Sequence, residues 1–159
     1  MTNEDRIELV ENPGSHLLDD QLCFALYAAQ RAVTAAYRPL LDELGLTYPQ
    51  YLVLLVLWER GESTIKEVAG ALRLDYGTLS PLLKRLQAAG LIHRERSPDD
   101  ERAVLVTVTG QGEALRERAR CVPGILLTAS GLGGDEVARL RGELRQLTER
   151  TEAARSRTS

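Results

Sequence analysis

Apolar positions recur at helical spacing along most of the chain, and one stretch near the middle changes to strand rhythm. Leu18, Leu22, Leu26, Ala29, Val33 and Leu40 make one stripe, which predicts a long helix from about Ser15. Pro39 is expected to kink or restart that helix and Gly45 to close it. Thr47-Tyr-Pro-Gln50 has the form of a capping box, with Pro49 in the first turn where a missing N–H is no loss. Tyr51 to Trp58 is apolar on every face, so a buried helix is expected, ended by Gly61. Thr64-Ile-Lys-Glu67 is a second capping box, and Ile65, Val68, Ala69 and Leu72 follow on one helical face. Leu79, Leu82, Leu83 and Leu86 repeat the spacing, with Gly90 as the stop. Only Arg73, Leu74 and Asp75 separate these two helices, a length that suits a helix-turn-helix. Residues 91–96 and 103–108 then read as the strands of a β-hairpin around the polar turn 97–102. Thr109-Gly-Gln-Gly112 opens a further helix through Ala114, Leu115, Ala119 and Val122, interrupted at Pro123-Gly124. Asp135 is expected to cap a last helix in which Val137, Leu140, Leu144 and Leu147 form a coiled-coil-like seam.

The fold class that follows is mainly α with a small β-hairpin wing, a winged helix-turn-helix. Residues 61–109 would be the DNA-binding lobe, and 15–60 and 110–154 the dimerisation helices of one unit spanning 15–159. Residues 1–14 are charged, end in Asn12-Pro13-Gly14 and lack periodicity, so a flexible arm is expected there. The first and last helices flank a lobe that already has a core. Their apolar faces predict an intertwined homodimer, whose two-fold axis presents two recognition helices to half-sites ~10 bp apart. The second helix of the pair keeps Thr78, Ser80, Pro81, Lys84 and Arg85 off its leucine stripe. Hydroxyls and cations of this kind meet base edges and phosphates.

Charge changes this picture only in its distribution. The net charge of −3 is mildly unfavourable for nucleic acid. Residues 1–61 hold 4 Lys/Arg against 9 Asp/Glu, 62–102 hold 7 against 7, and 103–159 hold 9 against 7. A DNA-binding surface therefore requires Lys84, Arg85, Arg94, Arg96 and Arg102 to converge, with the acids elsewhere. The acidic start and the absence of a ~20-residue apolar run predict a cytoplasmic protein with no membrane partner. Two cysteines, Cys23 and Cys121, make no disulfide framework. With only His16 and His93 far apart in sequence, no metal site and no cofactor are expected.

Several blocks resemble the MarR family of winged-helix regulators. Asp100-Glu-Arg102 followed by Val108-Thr109 fits that family's wing pattern. Gln21-Leu-Cys-Phe-Ala-Leu-Tyr27, Tyr37-Arg-Pro-Leu-Leu-Asp42, Leu46-Thr-Tyr-Pro-Gln-Tyr-Leu52 and the run from Leu74 to Arg85 are similar to its organic-hydroperoxide-sensing repressors, the OhrR branch. The resemblance covers about residues 16–150. It implies that Cys23 is the redox-sensing thiol, with Tyr37 and Tyr48 as thiolate partners and Tyr27 nearby. It places Tyr76, Gly77, Thr78 and Ser80 at the head of the recognition helix and Arg102, held by Asp100, at the wing tip. Tyr76 departs from the pattern, in which a smaller residue is expected. Cys121 also departs, because a resolving thiol in relatives comes a few residues later. It is a candidate resolving thiol or an unrelated core residue, and both one-cysteine and two-cysteine schemes fit the spacing.

The residues bear on this independently. Cys23 and Tyr27 share a helix face. Tyr37 lies 14 residues beyond Cys23, ~21 Å along a straight helix, so their pairing requires the partner's first helix. Asp19 and Asp20 repel an anion at Cys23, whereas a helix N-terminus attracts one. The function expected is a homodimeric repressor on a pseudo-palindromic operator in double-stranded DNA. An organic hydroperoxide would be the inducer and a small thiol a possible capping partner. One alternative is a regulator relieved by a small phenolic or drug-like ligand at the dimer interface. Another, of a different class, is a thiol peroxidase; Cys23 lacks the Cys-x-x-Cys or Thr-x-x-Cys setting that would favour an enzyme.

Overall fold

The computed structural model describes residues 16–157; the expected N-terminal arm lies outside them. By its contacts the chain divides after Ala35. In the first unit a 3-10 turn at Leu18–Asp20 precedes helix α1, Leu22–Glu43, which continues into the second unit. The helix thus starts later than its apolar stripe, and Leu18 belongs to the turn before it. Pro39 lies inside α1 and neither ends nor restarts it. Only one further turn follows the proline, so little helix depends on the hydrogen bond its ring removes. The end at Gly45 is as expected: its φ is +67°, and Leu46 N–H reaches back to the Leu41 carbonyl at 2.9 Å.

In the second unit α2, Tyr48–Arg60, is followed by β1, Ser63–Thr64, α3, Ile65–Leu72, and α4, Tyr76–Ala88. Strands β2, Ile92–Arg96, and β3, Val104–Val108, come next. Helix α5, Gly110–Arg118, a 3-10 segment at Ala119–Gly124, α6, Ile125–Ser130, and α7, Gly134–Ser156, complete the chain. Both capping boxes form: Thr47 takes the Gln50 N–H, and Thr64 takes the Glu67 N–H, with each partner side chain returning the bond.

The sheet has three antiparallel strands in the order β1-β3-β2, with Ser63 opposite Val106 and Arg94 opposite Val106 on the other side. The periodicity predicts only the hairpin, because a two-residue strand carries no alternation to read. Val53, Leu54 and Leu57 of α2 are buried with Val68 of α3, Leu79, Leu83 and Leu86 of α4 and Val106 of β3. Each such side chain contributes ~1.5–3 kcal/mol on burial. Leu55 corrects the expectation of an all-round buried α2, since it is 37% exposed beside Trp58 and Arg116 on a groove.

Two further boundaries differ from the sequence reading. The break before Pro123 begins four residues early, where α5 gives way to the 3-10 segment at Ala119. The proline ring clashes with the carbonyl four residues back, which is that of Ala119. Asp135 does not cap α7; Gly133 is the N-cap, and its N–H donates to the Glu136 carboxylate at 2.8 Å. The seam leucines Leu140, Leu144 and Leu147 are 44%, 39% and 37% exposed on the single chain.

Candidate functional site

The proposed reading head is built from the N-terminus of α4. Asp75 is its N-cap, accepting the Thr78 N–H at 2.7 Å and the Thr78 hydroxyl at 3.1 Å. These bonds hold the Asp75 carboxyl below the usual carboxylate range. Gly77 makes room for this cap: a Cβ there would come within 3.2 Å of Asp75 Oδ1. Pro81 lies inside α4, and Leu79, Leu83 and Leu86 of the stripe are buried while Leu82 is half-buried. Tyr76, Thr78, Pro81, Lys84 and Arg85 are exposed, while Ser80 is half-buried.

The wing turn is fixed by its own backbone. Ser97 N–H donates to the Ala103 carbonyl and Ala103 N–H to the Asp100 carbonyl, both at 2.9 Å. Asp100 Oδ1 accepts the Arg102 N–H at 2.9 Å, so the aspartate orders the turn while leaving the Arg102 guanidinium exposed. Arg96 is exposed as well. Arg94 differs: its Nε donates to Gln87 Oε1 at 2.5 Å, which ties β2 to α4 and leaves the side chain half-buried. Tyr76, Arg102 and Asp100 line one groove of about 730 Å³ together with Lys66 of α3. Lys66 is an exposed cation whose sequence context reads only as a capping motif.

Cys23 is the second residue of α1 and is free and exposed. Asp20 closes the preceding 3-10 turn. Tyr27 lies one turn on, and Arg31 stands over its ring at 5.5 Å and donates to its hydroxyl at 3.4 Å. In the second unit Tyr37 and Tyr48 come together, ring centroids 5.3 Å apart. Tyr48 continues the cluster to Tyr51 at 6.3 Å, and Tyr51 to Trp58 at 6.3 Å. Burial raises the pKa of Tyr37; burial, then the neighbouring phenol, raises that of Tyr48; Tyr51 is pushed up to about 12. Cys121 also is free and exposed, in the 3-10 segment, with its thiol directed to the Arg118 carbonyl at 3.7 Å. The core-residue reading of Cys121 is thereby corrected. Among the described residues no three His, Cys, Asp or Glu side chains gather as a metal site, and no single helix is long and apolar enough to cross a membrane.

Comparison with known proteins gives this geometry a context. A family model described as transcriptional regulator SarA/Rot matches residues 35–118. The organic hydroperoxide resistance transcriptional regulator of Bacillus subtilis (strain 168) is 48% identical over 141 residues, covering 88% of this chain and 96% of that protein. Reduced AbfR bound to DNA, AbfR being a Staphylococcus epidermidis protein, is similar at a TM-score of 0.70 and 36% identity over 84% of this chain and 94% of that one. Reduced MarR from E. coli matches at a TM-score of 0.66 and 28% identity, over 80% and 96%. The chain belongs to the MarR-type family of winged-helix transcriptional regulators, on the branch of the organic hydroperoxide resistance regulators.

Proposed function

We propose that this regulator is a homodimeric, DNA-binding repressor that senses organic hydroperoxides through Cys23 and releases its operator on oxidation. The observation that carries the reading is the Tyr37–Tyr48 pair. The two phenols stand side by side, ring centroids 5.3 Å apart, and like any tyrosine they carry their protons at neutral pH. They are therefore donors suited to an anionic sulfur. Cys23 and Tyr37 both lie on α1 with 14 residues of rise between them, so the donors for each thiol come from the partner subunit. The exposed leucines of α7 supply an apolar face for that partner.

The chemistry needs the thiolate of Cys23. Its sulfur attacks the terminal oxygen of ROOH; the S–O bond forms, the O–O bond breaks, and the alkoxide leaves as ROH after taking a proton. The product is a sulfenic acid, which no longer accepts the phenol donors as a thiolate does. A second thiol, from Cys121 or a small molecule, then forms a disulfide and expels water. The two-fold dimer would hold a pseudo-palindromic operator with the head of α4 in the major groove and Arg102 in the adjacent minor groove. This reading puts the protein in the cytoplasm with its operator.

Gel shifts on the reduced protein test it. Cys23→Ser is expected to bind operator as wild type does and to stay bound under cumene hydroperoxide. Cys121→Ser is expected to respond still; if Cys121 resolves the sulfenic acid, only wild type becomes a covalent dimer on a non-reducing gel. A Cys23→Ser protein that lets go of DNA under peroxide refutes the sensor assignment. Sustained peroxide turnover with a reductant, in place of one equivalent per thiol, would mark a peroxidase.

A further inference from the structure

Tyr76 is the first residue of α4 and is 65% exposed, a large ring left in water at the head of the recognition helix. Its nearest neighbours offer few free donors. The Thr78 N–H and hydroxyl are both committed to Asp75, and Gly77 has no side chain. The ring lines the 730 Å³ groove, with Ile65 and Ala69 of α3 and Arg102, Ala103 and Val104 of the wing also on its walls. The ring at the head of α4 thus stands on the same groove as the wing arginine, Arg102.

Base edges in the major groove differ in what they offer a side chain. Guanine offers two acceptors to a cation, adenine an acceptor and donor to an amide, and thymine a methyl group to an apolar surface. An aromatic ring at the first position of the helix matches the last of these. We propose that Tyr76 reads a thymine methyl in each operator half-site and so sets the base preference there; this rests on the DNA-binding reading above.

The test uses the full reduced chain and a duplex it selects from a randomised pool. Each thymine is replaced in turn by deoxyuridine, which removes only the methyl, and binding is followed by fluorescence anisotropy at fixed salt. The loss of one buried methyl predicts about fourfold weaker binding per half-site. Wild type is expected to show this at one symmetric thymine position. Tyr76→Phe is expected to keep it, and Tyr76→Ala to bind the two duplexes alike. Thermal melts of both variants verify folding, and Tyr76→Phe preserves the ring should the alanine variant melt early. The inference is overturned if wild type is insensitive to every methyl, if Tyr76→Ala retains the sensitivity, or if Tyr76→Phe loses it. If the pool yields no bound duplex at all, the DNA-binding reading falls first, and that outcome is distinct from a selected duplex with silent methyls.

Discussion

Substituting alanine for Gly112 adds one carbon at the tightest place in the second unit. A Cβ at Gly112 would overlap the Leu91 carbonyl oxygen and lie 2.6 Å from Val108 Cγ1, where real Cβ contacts do not fall below 3.0 Å. The neighbours are the start of β2 and the end of β3, so relief requires α5 to move off the wing by close to an ångström. Three bonds resist that movement. Thr109 N–H donates to the Leu91 carbonyl at 3.1 Å, the Thr109 hydroxyl to the Gly90 carbonyl at 2.6 Å, and Trp58 Nε1–H to the Gly112 carbonyl at 3.3 Å. Overpacking of this kind costs about 1–3 kcal/mol. Losing the buried indole bond adds about 1 kcal/mol. Alanine's better helix propensity returns at most ~1 kcal/mol. The net loss is about 1–3 kcal/mol, and a protein of this size then melts roughly 2–12 °C lower. Gly110→Ala is the control, because nothing lies within 4 Å of a Cβ at that site. It should melt within ~2 °C of wild type. Both variants should be scanned by circular dichroism at one protein concentration, since dimerisation makes the midpoint concentration-dependent. If Gly112→Ala and Gly110→Ala melt together, the close approach of α5 to the wing is not what requires glycine.

Other perturbations address the surface and the titrating groups. Arg102→Ala should weaken operator binding with an unchanged melt, and the log–log salt slope should fall in magnitude by ~0.9 for each phosphate left without its cation; unchanged affinity would remove the arginine from the interface. Tyr37, Tyr48 and Tyr51 have raised folded pKa values, so the native state holds protons that the unfolded chain releases from about pH 10 upward. Their contribution to stability is complete below pH 10 and is lost as pH rises toward about 12, the value for Tyr51; a melting temperature flat from pH 9 to 12 would contradict this. Asp75 has a lowered folded pKa, so its cap is intact above the ordinary aspartate range and weakens as pH falls through it. Amide exchange at Thr78 should quicken relative to the α4 interior as the solution is acidified, and an Asp75→Asn chain should lack that acid dependence.

The elements with strong local signals are legible in the sequence. The capping boxes at Thr47 and Thr64, the three-residue joint from Arg73 to Asp75 and the stop at Gly90 depend on neighbouring residues alone. What escapes depends on pairing across the chain. Ser63 and Thr64 become a strand because β3 passes beside them. The Glu136 carboxylate captures Gly133 although Asp135 has the better side chain for a cap. The site divides in the same way. The exposure of Lys84, Arg85 and Arg102 follows from their places off the apolar faces. The meeting of Tyr37 and Tyr48 does not, since they are eleven positions apart and the chain passes through Gly45 at positive φ between them. Lys66 is hidden by its own motif: its neighbours explain a helix start so completely that nothing local marks a cation beside the wing.

The short strand β1 has a mechanical consequence. Thr64 is at once a rung of the sheet, opposite Leu105, and the N-cap of α3. Gln87 and Arg94 bolt α4 to β2, and Trp58 and Thr109 bolt α5 to α2 and to the base of β2. The recognition helix and the wing are therefore tied to each other at several points and are expected to move together. Only the spacing and tilt between two such blocks are left to adjust. A signal that widens that spacing by a fraction of a helical turn disengages a whole half-site in one stroke, so occupancy should switch off abruptly with oxidation instead of fading piece by piece.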